Sequence, residues 1–239
     1  VSNGAYWVIE PNLFLHYVPG WDNQQAPLFD TTLFFPGYNQ LFQMRRFDGW
    51  DRIGDDRSAS VGVQASGVRS DGFTQWQLAL GQKFTLKKHE VLIDDAGVDD
   101  PLVLHYRSDL DVDGDYFFNE YNDAHMNLAW DVGSHYWAHA LFDYHMQWDE
   151  RLHVQPYYFY ARAMDRVIDI NQVSRWTNLS RFGLSVDWHA NTRWQMHLDW
   201  SDNISQHHAH NVSAGIFYDT CCWSLGLSFG RYWTGYDVY

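Results

Sequence analysis

Strict alternation of apolar and polar side chains is the feature that most limits how this chain can fold. In one segment, rings and aliphatic side chains take every second position and polar side chains the positions between: Trp194, Met196, Leu198 and Trp200 against Gln195, His197 and Asp199. Residues 122–132, 180–189 and 222–232 repeat the pattern. Successive side chains of an extended strand point to opposite faces, so each segment would have one apolar and one polar face. Helical spacing fits none of these segments, and the sequence predicts an all-β protein.

Aromatic residues indicate the surroundings that such strands need. The chain holds 13 Trp, 15 Tyr and 15 Phe, which is 18% of its residues. Amphipathic rings are concentrated where an apolar phase meets water, as at membrane boundaries. No segment approaches the roughly 18 consecutive apolar residues of a membrane helix, whereas a β-barrel strand needs an apolar residue only at every second position. We therefore predict an antiparallel transmembrane β-barrel in the outer membrane of a Gram-negative bacterium.

The alternating segments number about eleven, and their spacing predicts a topology. The predicted strands are residues 6–17, 58–69, 73–86, 122–132, 135–147, 152–163, 167–175, 180–189, 193–201, 208–218 and 222–232. The long connections 18–57 and 87–121 would lie at one end of the strands, and the short turns 70–72, 133–134, 164–166, 190–192 and 219–221 at the other. This division is typical of outer-membrane barrels, with short periplasmic turns and long external loops. Because an open row of strands leaves two unpaired edges, we predict part of a larger barrel.

Charge and the first residues narrow the classes of partner. The formal net charge is −14, which excludes nucleic acid as a partner, since nucleic acid is attracted by clustered Lys and Arg. Val1 to Pro11 contain no Met and no basic stretch, so we expect no secretion signal here and a segment cut from a longer protein.

The polar side of the predicted strands would line a wet barrel interior. The residues expected to face this lumen are Gln75, Gln77, His125, Asn127, Asp131, Gln195, His197 and Asp199. A porin-like channel or a barrel hydrolase would use the same wall, and a soluble aromatic-rich β-sandwich that binds a ligand would show similar alternation. No nucleophile elbow, Walker loop or dinucleotide fingerprint is present, so we predict that the chain is not an enzyme.

One acidic stretch matches the template of a calcium-binding loop. In the twelve residues from Asp109 to Glu120, carboxylates occupy positions 1, 3, 5 and 12 and a glycine occupies position 6, as the template requires. The side chains of Asp109, Asp111, Asp113 and Glu120, with the carbonyl of Asp115, would supply the oxygen ligands. The sequence thus predicts Ca2+ in an external loop, although no cofactor is required, and a solvated acidic loop is the alternative.

Several strings resemble the LptD family of lipopolysaccharide-assembly proteins. The nine residues from Gly215 to Trp223 resemble the family signature G-x-x-Y-x-x-C-C-W, with adjacent Cys221 and Cys222. Four further strings are similar to family segments in the same order: residues 10–19, 47–53, 80–84 and 186–194. The resemblance implies that residues 1–239 form a single C-terminal segment of an LptD barrel.

The resemblance also implies a function and partners. The family barrel belongs to the translocon that inserts lipopolysaccharide into the outer leaflet. Its expected partners are lipopolysaccharide, an LptE-like lipoprotein plug, the periplasmic Lpt bridge reached through an N-terminal domain, and the barrel-assembly machinery. Cys221 and Cys222 are expected to form disulfides with cysteines of that N-terminal domain. From the residues alone, a reduced or vicinally bonded cysteine pair is the alternative.

Overall fold

The computed structural model describes residues 4–19, 32–33, 37–45, 47–48, 55–86, 108–168, 174–205 and 208–232. These residues form thirteen strands: β1 Tyr6–Val18, β2 Thr32–Leu33, β3 Phe47–Asp48, β4 Asp56–Val68, β5 Thr74–Thr85, β6 Leu110–Asn119, β7 Asn122–Asp131, β8 Tyr136–Gln147, β9 Leu152–Ile168, β10 Ser174–His189, β11 Trp194–Asn203, β12 His208–Asp219 and β13 Ser224–Tyr232. A 3-10 helix spans Tyr38–Phe42. None of the helical residues described here builds a helix long and apolar enough to cross a membrane.

Eleven of these strands form one antiparallel sheet, in which β1 pairs with β4 and the strands from β4 to β13 follow in sequence order. The two remaining strands, β2 and β3, pair with each other in a second small sheet. The predicted all-β class and the predicted strand number are confirmed. Among the described residues, the edge strands β1 and β13 each have one neighbour, so the sheet is open. An open antiparallel sheet with one apolar face is consistent with part of a β-barrel.

The chain divides into two compact units. Unit 1 contains residues 1–114 and 128–136, and unit 2 contains residues 115–127 and 137–239. In unit 1, β1 pairs with β4 over its full length, from Tyr6 opposite Val68 to Val18 opposite Asp56. In unit 2, strands β8 to β13 pair in sequence order.

Two predicted boundaries are wrong, and the errors offset each other in the strand number. The stretch predicted as the end of the long loop 87–121 contains β6, so that this connection spans only residues 86–109. The predicted turn 164–166 lies inside β9, and the predicted strand 167–175 is divided between β9 and β10. These two strands have 17 and 16 residues, more than the ~9–11 that cross a bilayer. The charged residues Asp165 and Arg166 are typical of a turn in the sequence, although the backbone continues as β9 through Ile168.

The corrected strand bounds also change the end of the sheet at which some turns lie. Connections in an antiparallel sheet alternate between the two strand ends. The short turn 132–135 therefore falls at the same strand end as the long connections 19–55 and 86–109, contrary to prediction. The turns 69–73, 190–193 and 220–223 fall at the opposite end, as predicted.

Short polar side chains fix the turns. The Oδ1 atom of Asp149 accepts hydrogen bonds from the amides of Arg151 and Leu152 at 2.7 and 2.9 Å, and Asn191 bonds its own turn in the same way. In the turn after β4, the hydrogen bond from Arg69 holds the pKa of Asp71 below its usual value. Side-chain oxygens that accept from the amides two or three residues on are typical of Asx turns, so local hydrogen bonds stabilise these turns.

In unit 1, the 3-10 helix lies on the polar face of β1, β4 and β5. Tyr38 and Leu41 are buried and pack on Ala79. The hydroxyl of Tyr38 accepts a hydrogen bond from Asn12 at 3.0 Å. A Cβ atom added at Gly81 would lie 2.8 Å from Cδ1 of Leu41. The 3-10 helix in the connection after β1 thus packs on the polar face of β5, and the glycine at position 81 makes this close approach possible.

A methyl-bearing residue at this glycine should loosen the helix. We expect Gly81→Val to raise hydrogen exchange at the Gln40 and Gln43 amides, which bond inside the helix, by about tenfold or more, because overpacking costs roughly 1–3 kcal/mol. Leu80→Ile, on the opposite face of β5, is the matched control and should leave exchange unchanged. Equal exchange in Gly81→Val and the wild type would show that the helix does not depend on this contact.

Candidate functional site

The apolar face of the strands is exposed on the described chain. In unit 1, Leu13 and Leu15 of β1 are 70% and 72% exposed, and in unit 2, Leu225, Leu227 and Phe229 of β13 are 67–73% exposed. Soluble proteins rarely leave contiguous apolar surface of this kind in water. This face therefore needs an apolar environment, which a bilayer would supply.

Aromatic rings cluster at one end of the apolar face in unit 2. Trp194 at the start of β11, Tyr218 near the end of β12 and Trp223 before β13 are neighbours, with ring centroids 4.7 and 5.4 Å apart. All three lie next to the turns 190–193 and 220–223. A belt of Trp and Tyr at this level is typical of a membrane–water boundary.

On the opposite face of unit 2, histidines are bonded to carboxylates across the strands. His145 of β8 lies between Asp123 and Asp143, with Nδ1 and Nε2 at 2.9 and 3.4 Å from a carboxylate oxygen of each. His125 of β7 bonds Asp115 at 2.8 Å. Each ring is held by a polar neighbour, so this face is hydrophilic and its side chains are fixed.

The same arrangement recurs between β10 and β11. Nδ1 of His197 lies 2.7 Å from Asp187, and its Nε2 lies 4.0 Å from Asp199. Asp187 stands directly opposite His197 in the strand register. Such a wall offers donors and acceptors for hydroxyl and amide groups of a passing ligand.

A groove of about 540 Å³ lies on unit 2 among these residues. Its lining residues with carboxyl or imidazole groups are Glu120, Asp123, His145, His153, Asp187 and His189. Three of these are carboxylates, so the groove is negative when the imidazoles are neutral. It is suited to sugar hydroxyls and to cations, and an anionic phosphate would need a cation beside it.

The residues predicted to face the lumen alternate with apolar residues along their strands. One of them, Asp131, bonds the backbone of a turn. Gln75 and Gln77 share their face of β5 with Lys83 in unit 1, and Gln195 and His197 share theirs with Asp199 in unit 2. His125 and Asn127 share one face of β7 with Asp131 at the strand end. The Oδ1 atom of Asp131 accepts hydrogen bonds from the amides of Gly133 and Ser134 at 2.7 and 3.0 Å. Asp131 therefore builds a turn.

Sequence reasoning missed the partners of these residues. His139 is buried and bonds Asn127, and neither His139 nor Asp187 was predicted as a site residue. Both occupy the alternate positions that point to the polar face. The signal was the same alternation, but pairing across strands requires a register that the sequence does not provide.

The acidic stretch predicted as a calcium loop is a strand. Residues 110–119 form β6, so that Asp111, Asp113 and Asp115 project from one face at the ~6.6–6.8 Å repeat of alternate strand residues. Asp111 is 2% exposed. The curled loop that would gather these oxygens with Asp109 and Glu120 around one ion is therefore not formed, and the geometric basis of the prediction is wrong. Calcium binding by these residues stays a prediction.

Cys221 and Cys222 occupy the exposed turn between β12 and β13, where both are unbonded. Their Sγ atoms are 3.0 Å apart. Oγ1 of Thr220 accepts from the amide of Trp223 at 3.1 Å, and it donates to the carbonyl of Trp223 at 2.9 Å. The turn thus presents two thiols side by side to solvent.

Comparison with known families decides the relationship. A family described as "LPS transport system D", the LptD family, matches residues 2–194, which is most of the chain. The chain belongs to the LptD family. The matched residues include β1 to β10 and end at the start of β11, so the cysteine turn lies beyond them.

Individual LptD relatives extend the match to the whole chain. The chain is 29% identical to the LPS-assembly protein LptD of Pseudomonas putida F1 over 99% of its length, and 28% identical to that of Pseudomonas entomophila over 96%. The LptD of Ectopseudomonas mendocina is 26% identical over 96% of the chain. The chain spans about a quarter of these relatives, 26–27% of their length.

Proposed function

We propose that this chain is part of the outer-membrane translocon that inserts lipopolysaccharide into the outer leaflet of a Gram-negative outer membrane. Membership of the LptD family supports this role, and relatives named LPS-assembly protein point the same way. The single observation that carries the structural side is that described strands have an exposed apolar face, and that β7, β8, β10 and β11 bond polar side chains on the other face. A translocon barrel needs both.

The two faces suit the two halves of the substrate. Lipopolysaccharide has acyl chains, which prefer hydrocarbon, and a sugar-phosphate head, which needs water or polar groups. The groove lined by His145, His153 and Asp187 offers polar contacts for sugars. Because its carboxylates are negative, a divalent cation would bridge them to the phosphates of lipopolysaccharide. The chain acts in this proposal as a passage and not as an enzyme.

The proposed partners follow from the same role. The polar face would also contact an LptE-like lipoprotein plug, and the periplasmic Lpt bridge would deliver lipopolysaccharide through an N-terminal domain joined to Cys221 and Cys222 by disulfides. The barrel-assembly machinery would insert the barrel. The porin-like channel, the barrel hydrolase and the soluble β-sandwich are favoured by no observation.

Photocrosslinking in living cells tests this function. A photoreactive side chain at Ser213, on the polar face of β12, should crosslink lipopolysaccharide only while new lipopolysaccharide is being made. The same side chain at Val212, on the apolar face, is the control and should crosslink the resident lipid whether or not synthesis continues. A Ser213 position that never crosslinks, together with normal lipopolysaccharide export after depletion of the protein, would contradict the proposal.

A further inference from the structure

A cavity of about 330 Å³ lies on the apolar face of unit 2, where β6 and β8 end and β7 begins. Three rings and three side-chain amides line it: Phe118, Tyr144 and Trp148, with Asn119, Asn122 and Gln147. Cavities of roughly 300–1,000 Å³ are large enough to bind small molecules. The apolar face therefore carries a recess of ligand size with a mixed aromatic and polar lining.

The recess forms because a short side chain lies between two large ones. Phe118 of β6 and Tyr144 of β8 meet edge to face across β7, with ring centroids 5.8 Å apart. Between them, Asn122 lies on the apolar face of β7, because alternate residues such as Asp123 and His125 bond carboxylates and imidazoles on the other face. The smaller asparagine leaves a gap between the aromatic rings.

The cavity opens at the strand end that carries the short turns. Residues 120–121 connect β6 to β7, and residues 148–151 connect β8 to β9. Because connections alternate between the two ends of the sheet, both turns lie at the same end as the turns 190–193 and 220–223. Short turns of outer-membrane barrels are periplasmic. A lipid in this cavity would belong to the periplasmic leaflet, whereas lipopolysaccharide occupies the outer leaflet.

The side chains at this end favour a positively charged headgroup. Exposed carboxylates occupy both adjoining turns, Glu120 in one and Asp149 and Glu150 in the other. Arg151 is the one basic residue of these two turns, so their balance of charge is negative. An ammonium group is attracted to the faces of Trp and Tyr rings, and nearby carboxylates strengthen this attraction. An anionic headgroup would be repelled by the same carboxylates.

The amides of the cavity complement a phosphate group. Nδ2 of Asn122 donates a hydrogen bond to Oδ1 of Asn119 at 2.9 Å. A side-chain amide has two N–H hydrogens, so Asn122 keeps a second one for a ligand, and the amide of Gln147 offers two more. Phosphate oxygens accept hydrogen bonds from such groups.

We propose that this cavity binds one zwitterionic phospholipid of the periplasmic leaflet. Its ammonium group lies on the rings of Tyr144 and Trp148, its phosphate accepts hydrogen bonds from the amides, and its acyl chains follow the exposed apolar face past Phe142. The proposal rests on the proposed place of the chain in the outer membrane, and it does not involve the passage of lipopolysaccharide.

Native mass spectrometry of the full-length protein tests the site. The protein, in detergent and with its folded state checked by heat-modifiable migration, would be offered equal amounts of phosphatidylethanolamine and phosphatidylglycerol. We expect one phosphatidylethanolamine to be retained, with a preference of about tenfold, because phosphatidylglycerol lacks the ammonium group. Tyr144→Leu combined with Trp148→Leu should lower this retention about tenfold, because leucine keeps the surface apolar but removes the ring faces.

Two further variants show whether the effect belongs to this cavity. Trp194→Leu combined with Tyr218→Leu is the matched control, because it removes the same two kinds of ring from the same end of the apolar face. This control should retain phosphatidylethanolamine as the wild type does. Asn122→Phe fills the gap between the rings without removing apolar surface, and it should abolish the preference for phosphatidylethanolamine.

The proposal would be overturned by equal retention of the two lipids in the wild type, or by equal losses in the two double variants. Either result would leave the proposed transport role standing, because no step of the measurement involves lipopolysaccharide. A failure of the transport role would appear instead in the crosslinking at Ser213, which does not depend on this cavity.

Discussion

Leu198→Arg should destabilise the folded protein by about 2–4 kcal/mol in phospholipid vesicles. Leu198 lies in the middle of β11 on the apolar face and is 42% exposed. An arginine at the midplane of a barrel's lipid face costs this amount, because the guanidinium must leave water. Denaturant unfolding followed by Trp fluorescence would measure the loss.

The neighbouring position is the matched control for this prediction. His197→Arg introduces the same side chain on the opposite face of the same strand, where Asp187 lies 2.7 Å from the present imidazole. The arginine can bond Asp187 in a wet lumen, and we expect little loss. Equal losses at positions 197 and 198 would argue against a division of β11 into lipid and water faces.

Lys83→Met should cost about 3 kcal/mol or more of folding free energy. Asp56 is 2% exposed and contacts Nζ of Lys83, with Nδ1 of His16 at 3.2 Å as its second partner. Removing one partner of a buried ion pair leaves an uncompensated charge, which costs roughly 3–5 kcal/mol. His16 remains beside the carboxylate, so we expect the lower part of that range.

Two further variants isolate the charge effect. Asp56→Asn combined with Lys83→Met removes both charges and should recover at least half of the loss. Arg69→Met breaks the exposed pair with Asp71, whose partners are both half exposed, and should change stability little because solvent screens that pair. If the double variant were as unstable as Lys83→Met, packing and not charge would explain the loss.

The sequence predicted the faces of the strands better than their directions. His125 and Asn127 share one face of β7, although the missed strand β6 reverses the direction assigned to β7. Alternation depends only on whether a position is odd or even, so an error in counting strands does not change it. The end of the sheet at which a turn lies depends on how many strands precede it. For this reason the turn 132–135 was predicted at the wrong end.

The missed elements share a physical cause. In β6, aspartates alternate with Val112, Gly114 and Tyr116, and a strand with acidic residues on one face and a glycine on the other looks like a loop. The packing of the 3-10 helix on Gly62 and Gly81 could not be predicted from the sequence, because the packed residues are distant along the chain. Cross-strand pairs such as Asp187 with His197 required the register, which packing and turn geometry determine together.

Spin labelling along β11 tests most directly whether the apolar face meets hydrocarbon and the polar face meets water. Single nitroxide labels would replace each residue from 195 to 200 in the full-length protein, with native cysteines kept only where they form disulfides. We predict that labels at Met196, Leu198 and Trp200 collide mainly with dissolved oxygen, and labels at 195, 197 and 199 mainly with a water-soluble nickel complex. If labels at the even positions collided with neither oxygen nor the nickel complex, as they would when buried under a second protein layer, the assignment of this face to hydrocarbon would be contradicted.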